Sequence, residues 1–180
     1  MDILLTYATT HGSTRVIAQR IATQLSGHGH QVEVVAVGEV KDVSGYGAVV
    51  LGSPVHGGAW LADATDFVQA YKTELAARPV WLFSVGLIGD TSSAFPSSVE
   101  ARLRSKRKEP KQISALRETI HPVGHRYFAG VIQRGHLPLP VRIVFKMFGG
   151  RYGDHRDWDD IDAWGDEIAA QVTAGQSSSA

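Results

Sequence analysis

The sequence predicts an α/β fold in which a doubly wound parallel sheet is covered by helices on both faces. Short apolar runs alternate with helical periods through the first half of the 180-residue chain. The run at residues 48–51 is continuously apolar rather than alternating, as expected for a parallel strand that is buried on both faces. Strands separated by helices imply right-handed crossovers within one sheet.

Each element of the first half follows from its own local pattern. Residues 3–7 form a short apolar run, which predicts the first strand. Ile17, Ile21 and Leu25 recur at helical spacing after it, so a helix is expected there. The second, third and fourth strands are predicted at residues 32–37, 48–51 and 80–85, and a second helix at about residues 61–75.

The second half is less regular, but its patterns still predict elements. Pro110 separates a basic, helix-compatible stretch from a short helical turn. The basic stretch is expected at residues 97–109, the turn at 113–120, a fifth strand at 127–132 and the last helix at 158–172. We expect a single domain over residues 1–172 with an insert at about 133–153, followed by a flexible tail at 173–180.

Composition and charge exclude several classes of function. The 18 Lys and Arg residues balance 18 Asp and Glu residues, so a basic surface for nucleic acid is not expected. The chain has no cysteine, which excludes thiol nucleophiles and Cys-ligated metal centres, and we predict no metal site. The N-terminus lacks the pattern of a signal peptide, and no apolar run approaches the roughly 20 residues that span a bilayer. A cytoplasmic location is therefore expected.

The loop after the first strand predicts a site for a phosphate group. Ligands of open α/β sheets bind beyond the carboxyl ends of the strands, and this loop runs directly into a helix N-terminus. It lacks both glycine-rich nucleotide signatures, so a phosphate bound without a lysine fits it best. The alternative is an ordinary capped helix start. The predicted phosphate-binding residues are Thr9, Thr10, His11, Gly12, Ser13 and Thr14.

At these positions the chain resembles the flavodoxin family, whose phosphate loop follows the pattern Ser/Thr-x-Thr-Gly-x-Thr. Thr9, Gly12 and Thr14 match the pattern, whereas His11 stands where the family has Thr. The resemblance implies a five-stranded sheet in the order 2-1-3-4-5. It also implies that flavin mononucleotide (FMN) is bound by three loops, the first holding the phosphate. A deazaflavin coenzyme stays open as an alternative.

By the same resemblance, the loops after the third and fourth strands would enclose the isoalloxazine ring. The earlier loop would supply contacts near the flavin N5, and the later loop would face the pyrimidine edge. Trp60 and His56 are candidates for stacking on the ring; the alternatives are a place in the core for Trp60 and a solvated loop position for His56. The candidate residues are Pro54, Val55, His56, Gly57, Gly58 and Trp60 in one loop and Val85, Gly86, Leu87, Ile88, Gly89 and Asp90 in the other.

The insert combines apolar and basic residues. Residues 119–153 contain no Asp or Glu. A helix near residues 137–148 would be amphipathic, which is typical of an element at a membrane surface or on a partner, although it could also pack on the edge of the sheet. Its apolar face would comprise Val141, Val144, Phe145 and Phe148.

Four cations of the insert are candidates for contact with an anionic lipid or an anionic substrate. Two of them would share one face of the predicted helix. The four are Arg134, Arg142, Lys146 and Arg151.

The segments at residues 145–150 and 154–169 resemble menaquinone-dependent protoporphyrinogen IX dehydrogenases, which are flavodoxin-like enzymes with an added loop near the flavin. This resemblance implies an FMN-dependent oxidoreductase that passes reducing equivalents to a quinone, or oxidises a porphyrinogen-like substrate, at the membrane surface. The flavin would carry the chemistry, so no catalytic side chain is predicted. A homodimer is left open.

Two other functions are weighed against this one. Electron-carrier flavodoxins are usually strongly acidic, whereas this chain has a formal net charge of zero. A signalling receiver needs carboxylates at its strand ends to hold Mg²⁺. The first and third predicted strands end without one, so a receiver is not expected.

Overall fold

A computed structural model describes residues 1–177 and contains a central parallel sheet. The strands are β1 (Asp2–Tyr7), β2 (Gln31–Ala36), β3 (Ala48–His56), β4 (Ala59–Trp60), β5 (Val80–Gly86), β6 (Gly124–Ala129), β7 (Val131–Ile132) and β8 (Gly153–Asp154). The central sheet has the order β2-β1-β3-β5-β6, and these five strands pair in parallel, while β4 forms an antiparallel hairpin with β3. The predicted order of parallel strands is confirmed.

Helices cover both faces of the sheet, as predicted. They are α1 (Ser13–Gly27), α2 (Ala62–Ala70), α3 (Lys72–Ala76), α4 (Ser97–Ser105), α5 (Lys111–Ile120), α6 (Leu139–Met147) and α7 (Trp158–Ser177), with short 3-10 helices at Val37–Glu39 and Arg134–His136. Along β5, Trp81 and Phe83 pack toward α1 and α7, whereas Val80 and Leu82 pack toward α2, α3 and α5. This two-sided burial explains the continuous apolar runs of the central strands.

Several predicted boundaries differ from those observed. The helix predicted at residues 61–75 is interrupted at Tyr71, whose backbone (φ −113°, ψ 22°) leaves the helical region. Its ring packs on that of Phe67 at 5.1 Å between centroids. The last helix extends beyond its predicted end as far as Ser177, so the expected tail is helical up to that residue. Residues 178–180 lie outside the described residues.

The predicted fifth strand divides at Gly130. Residues before it pair with β5, whereas β7 leaves the sheet and pairs antiparallel with β8. Glycine at position 130 allows the backbone to lie close to Val85 of β5, because an added Cβ would be only 2.9 Å from a methyl group of that side chain. The two-stranded ladder of β7 and β8 joins the two ends of the insert.

The insert packs on the domain through a third apolar cluster. Phe145 of α6 is buried, and its ring lies 5.3 Å from the rings of both Phe95 and Tyr152. The residues of the predicted apolar face differ in burial, because Phe145 is buried while Val141, Val144 and Phe148 remain 44–49% exposed. None of the helices within residues 1–177 has the length and hydrophobicity needed to cross a bilayer.

Candidate functional site

A cavity of about 560 Å³ lies at the carboxyl ends of the parallel strands, between the first loop, the β3–β4 hairpin and the insert. Its volume is in the range of small-molecule and cofactor sites. The lining comprises Thr9, Thr10, His11, Ser13, Thr14, Pro54, Val55, His56, Gly57, Val85, Gly86, Leu87, Gly130, Val131, Ile132, His136, Leu137, Pro138 and Val141.

A larger groove of about 970 Å³ runs along the edge strand β2. It is more open than the cavity, and carboxylates of Asp2, Glu33, Glu39 and Asp42 lie along it. The smaller cavity is the better candidate site, because ligands of open α/β sheets bind at the carboxyl ends of the strands.

The first loop has the geometry of an anion-binding turn. Gly12 adopts φ +87°, a conformation that favours glycine, and its N–H donates to Thr9 Oγ1 at 3.0 Å. The Ser13 hydroxyl oxygen accepts the N–H of Val131 at 3.1 Å, which ties the loop to the base of the insert. Because both hydroxyl oxygens act as acceptors, their hydrogens remain available to donate to a phosphate. Helix α1 begins here with its N-terminus toward the cavity.

The β3–β4 hairpin forms a second wall. His56 pairs with Ala59 across it, and the two central residues of the turn, Gly57 and Gly58, adopt φ +60° and +81°. These values suit the tight turns that connect twisted antiparallel strands. His56 and Gly57 line the cavity, together with Pro54 and Val55, whereas Gly58 does not.

Trp60 does not line the cavity. It is buried in the cluster beneath α2, and its indole N–H donates to Ser84 Oγ at 2.7 Å. The stacking role expected for Trp60 is therefore wrong, and the alternative of a core residue describes it. Trp60 pairs with Val55 across the hairpin, and its indole packs in this cluster and outside the cavity lining.

The third loop contributes only its first part to the cavity. Val85, Gly86 and Leu87 line it, whereas Ile88, Gly89 and Asp90 turn away. The Asp90 carboxylate instead pairs with Arg107 at 2.6 Å and accepts the N–H of Tyr127 at 3.0 Å. These two contacts hold the loop against β6, so a pyrimidine-edge role for Asp90 is not supported by the geometry.

Three histidines meet at one end of the cavity. The rings of His11 and His136 stack at 3.9 Å between centroids, with an angle of 3° between their planes. His56 lies 6.2 Å from His11. Although His11 is an exposed residue, partial desolvation chiefly lowers the pKa of its ring, and the charges of His136 and His56 lower it further. Within residues 1–177, no group of three or more His, Asp or Glu side chains is arranged to hold a metal ion.

The insert supplies a wall that the sequence did not assign to the site. This wall consists of His136, Leu137, Pro138 and Val141. The N–H of Gln133 donates to His136 Nδ1 at 3.3 Å, which fixes the ring at the start of the insert. The one available sequence signal was the position of this apolar segment directly after the last strand of the sheet.

The four predicted cations lie outside the cavity lining. Arg134 and Lys146 both lie over the ring of Tyr152, at 5.8 and 4.7 Å from its centroid. Arg142 donates to the carbonyl of Leu137 at 2.7 Å, and Arg151 is exposed. These side chains therefore lie on the surface of the insert and outside the candidate site.

The cavity fits a flavin mononucleotide in its chemistry. One end presents hydroxyls, backbone N–H groups and histidines, which suit a phosphate. The remainder of the lining is mostly apolar or glycine, which suits a flat ring that needs few polar contacts.

Comparison with known proteins decides the family. The family model described as a flavodoxin domain matches residues 4–157. The chain belongs to the flavodoxin family. Membership implies a flavoprotein that binds FMN, and it gives no support to the deazaflavin alternative.

This flavodoxin-family chain is also similar to a named enzyme and to solved flavodoxins. It is 22% identical over 180 residues to the protoporphyrinogen IX dehydrogenase (quinone) of Escherichia coli K12, covering 94% of this chain and 95% of that protein. A flavodoxin from the domain Archaea superposes with a TM-score of 0.59 at 16% identity, covering 96% of this chain and 99% of that one. A variant of the flavodoxin from Pseudomonas aeruginosa gives 0.59 at 12% identity, with 94% and 97% coverage.

Proposed function

We propose that the protein is an FMN-dependent oxidoreductase that passes reducing equivalents to a quinone, or oxidises a porphyrinogen-like substrate, at the cytoplasmic surface of a membrane. The observation that carries the proposal is the cavity itself, with a phosphate-binding loop at one end and an apolar wall from the insert beside it. The named activity of the Escherichia coli relative supports the same reaction class.

The chain's own residues bind and orient the cofactor. The first loop and the start of α1 would hold the phosphate, and the hairpin and third loop would hold the ring. When bound, the flavin supplies the hydride and electron transfer. Leu137, Pro138 and Val141 would exclude water from the ring and leave an apolar approach for a quinone or a tetrapyrrole.

The exposed surface of the insert supports action at a membrane. Leu139, Ile143 and Met147 recur four residues apart along α6 and are 64–73% exposed. An apolar helix face of this kind is unusual on a freely diffusing monomer and suits insertion among lipid headgroups. Arg134 and Lys146 lie on the same insert, where anionic lipid would attract them.

The first test identifies the cofactor and the reaction together. The purified protein is denatured, the released chromophore is identified by absorbance and mass, and protoporphyrinogen oxidation is assayed with a menaquinone analogue. We expect FMN and quinone-dependent turnover. A colourless protein that also ignores added FMN would contradict the proposal.

A second test separates an enzyme from an electron carrier. Deletion of residues 134–148 removes the apolar wall together with His136 but leaves the first loop and the hairpin. With FMN at a concentration that saturates the variant, we expect quinone reduction to be lost. A deletion variant that still exchanges electrons with its redox partner would argue for a carrier.

A further inference from the structure

The cavity has no fixed charge of its own. Its lining contains no Lys, Arg, Asp or Glu, so the three histidines are its only side chains that can become positively charged near neutral pH. Arg15 on α1 and Arg134 in the insert are close to this end in sequence, but neither lines the cavity.

A bound phosphate ester would bring a charge that this lining does not balance. The second pKa of a phosphate monoester is about 6, so the group is mostly a dianion at pH 7.5. Backbone N–H groups and hydroxyls offer hydrogen bonds and partial charges, but no full positive charge. A proton taken up by an imidazole would supply one.

We propose that His11, stacked on His136, carries the positive charge that neutralises the phosphate of FMN, so that the cofactor binds with uptake of one proton. This inference rests on the proposed function, because it assumes that FMN occupies the cavity. It assigns a role to the position where the family pattern has Thr, and it makes His136 of the insert part of the phosphate site.

The geometry selects His11 as the ring that accepts the proton. His136 Nδ1 already accepts the N–H of Gln133, so its neutral ring carries hydrogen on Nε2 and loses this bond if it becomes protonated. An imidazolium stacked on a neutral imidazole at 3.9 Å is attracted to it, whereas two stacked imidazolium rings repel each other. The pair therefore holds one proton, and His11 is the ring without a competing hydrogen bond.

The electrostatic balance at His11 reverses when the anion arrives. Without a ligand, partial desolvation and the neighbouring His136 and His56 lower the pKa of His11, so the ring is neutral at pH 7.5. A phosphate in contact with the ring favours its charged form and raises that pKa. Binding at this pH consequently removes a proton from solvent.

Proton uptake gives FMN affinity a pH dependence of defined sign. Where one proton is bound with each flavin, the Kd rises about tenfold for each pH unit. A loop of neutral donors behaves in the opposite way, because it prefers the dianion and its Kd stays level or falls as pH rises above 6. The two cases are distinguishable between pH 6.5 and 8.5.

The experiment measures flavin binding to the apoprotein by fluorescence quenching across this pH range. Calorimetry in two buffers of different ionisation enthalpy counts the protons taken up. Riboflavin, which lacks the phosphate, is the matched ligand. His11→Thr and His136→Gln are the test variants, and His121→Asn, which alters an exposed histidine at the end of α5, is the control.

For the wild type and the control, we expect the Kd of FMN to rise as the pH rises and one proton to be taken up on binding. Riboflavin binding should show neither the pH dependence nor the proton uptake. In His11→Thr the uptake should disappear, and in His136→Gln it should decrease. Because a variant could misfold, the His11 ring resonance of the wild type is also titrated with and without FMN. A Kd that is level with pH, no buffer-dependent heat and an unshifted His11 titration would overturn the inference. Failure of both flavins to bind at any pH would instead contradict the proposed function.

Discussion

Ser84 Oγ lies 2.9 Å from Nε2 of His125, beneath the hairpin that carries His56. The indole N–H of Trp60 donates to the same oxygen at 2.7 Å. On the other side of the ring, His125 Nδ1 faces the carboxylate of Glu109 at 3.5 Å. A chain of polar contacts therefore connects a partly exposed carboxylate to the base of a cavity wall.

The end groups of this row of polar contacts favour one direction of donation. An indole N–H can only donate, and a carboxylate can only accept. In the tautomer that carries its hydrogen on Nδ1, on the side that faces Glu109, the Nε2 atom of His125 accepts the hydroxyl hydrogen of Ser84. Only a neutral His125 satisfies this arrangement without reversing a bond.

Stability should fall as His125 becomes protonated. Burial is the main cause that lowers its pKa to about 4, against the attraction of Glu109. The unfolded chain, with a histidine pKa near 6.5, binds the proton first, so stability is lost as pH falls from about 6.5 toward 4. We expect a loss of about 2 kcal/mol between pH 8 and pH 5, as measured by urea unfolding.

Two variants separate this effect from general acid sensitivity. In His125→Asn the decrease in unfolding free energy between pH 8 and pH 5 should be smaller, because the buried imidazole is absent. His121→Asn replaces an exposed histidine and should retain the wild-type slope. Equal slopes in all three proteins would contradict the role assigned to His125.

Ser84→Ala should destabilise the protein by about 1–3 kcal/mol, because it leaves the Trp60 N–H and His125 Nε2 without a buried partner. Urea unfolding followed by tryptophan fluorescence measures the change. Ser98→Ala, at an exposed position of α4, is the matched control and should change stability little. A Ser84 variant as stable as the control would show that the buried contacts contribute nothing.

The fold and much of the cavity could be predicted from local sequence. The row of polar contacts from Trp60 through Ser84 and His125 to Glu109 could not. Apolar runs located the parallel strands, and strand ends located the loops, so Thr9, Pro54 and Val85 were placed at one edge correctly. Ser84 and His125 are 41 residues apart, and only the pairing of β5 with β6 brings them together. No spacing within the sequence carries that information.

The insert shows a second limit of local pattern. The helical period predicted α6 well, but it could not tell which side of the helix meets the domain. That side is set by the ladder of β7 and β8 and by the contact of Phe145 with Phe95. The same ladder brings His136 beside His11, which no periodicity could indicate.

Phe145→Ala should release the insert from the domain while leaving the sheet folded. Truncating a buried Phe costs about 3–5 kcal/mol, and this Phe holds a small satellite cluster rather than the main core. We expect faster amide exchange across α6 and little change in the exchange of β1 and β3. In Met147→Ala, which alters a 73% exposed side chain, the amides of α6 should exchange at the wild-type rate. Uniform loss of protection throughout the sheet would contradict the satellite assignment.

The insert should bind anionic vesicles, as measured by co-sedimentation with phosphatidylserine-containing and neutral vesicles. Each cation near an anionic surface contributes about 1 kcal/mol, so Arg134→Gln with Lys146→Gln should weaken binding by about thirtyfold, and added salt should reduce the difference. Ile143→Asp places a charge on the exposed apolar side of α6 and should weaken binding to both kinds of vesicle. Arg102→Gln, which removes an exposed cation on α4, is the control and should bind vesicles as the wild type does.

Because Arg134 and Lys146 flank Tyr152 outside the cavity, FMN affinity should be unchanged in the double variant. Wild-type protein that stays in the supernatant with both kinds of vesicle would refute a membrane role for the insert.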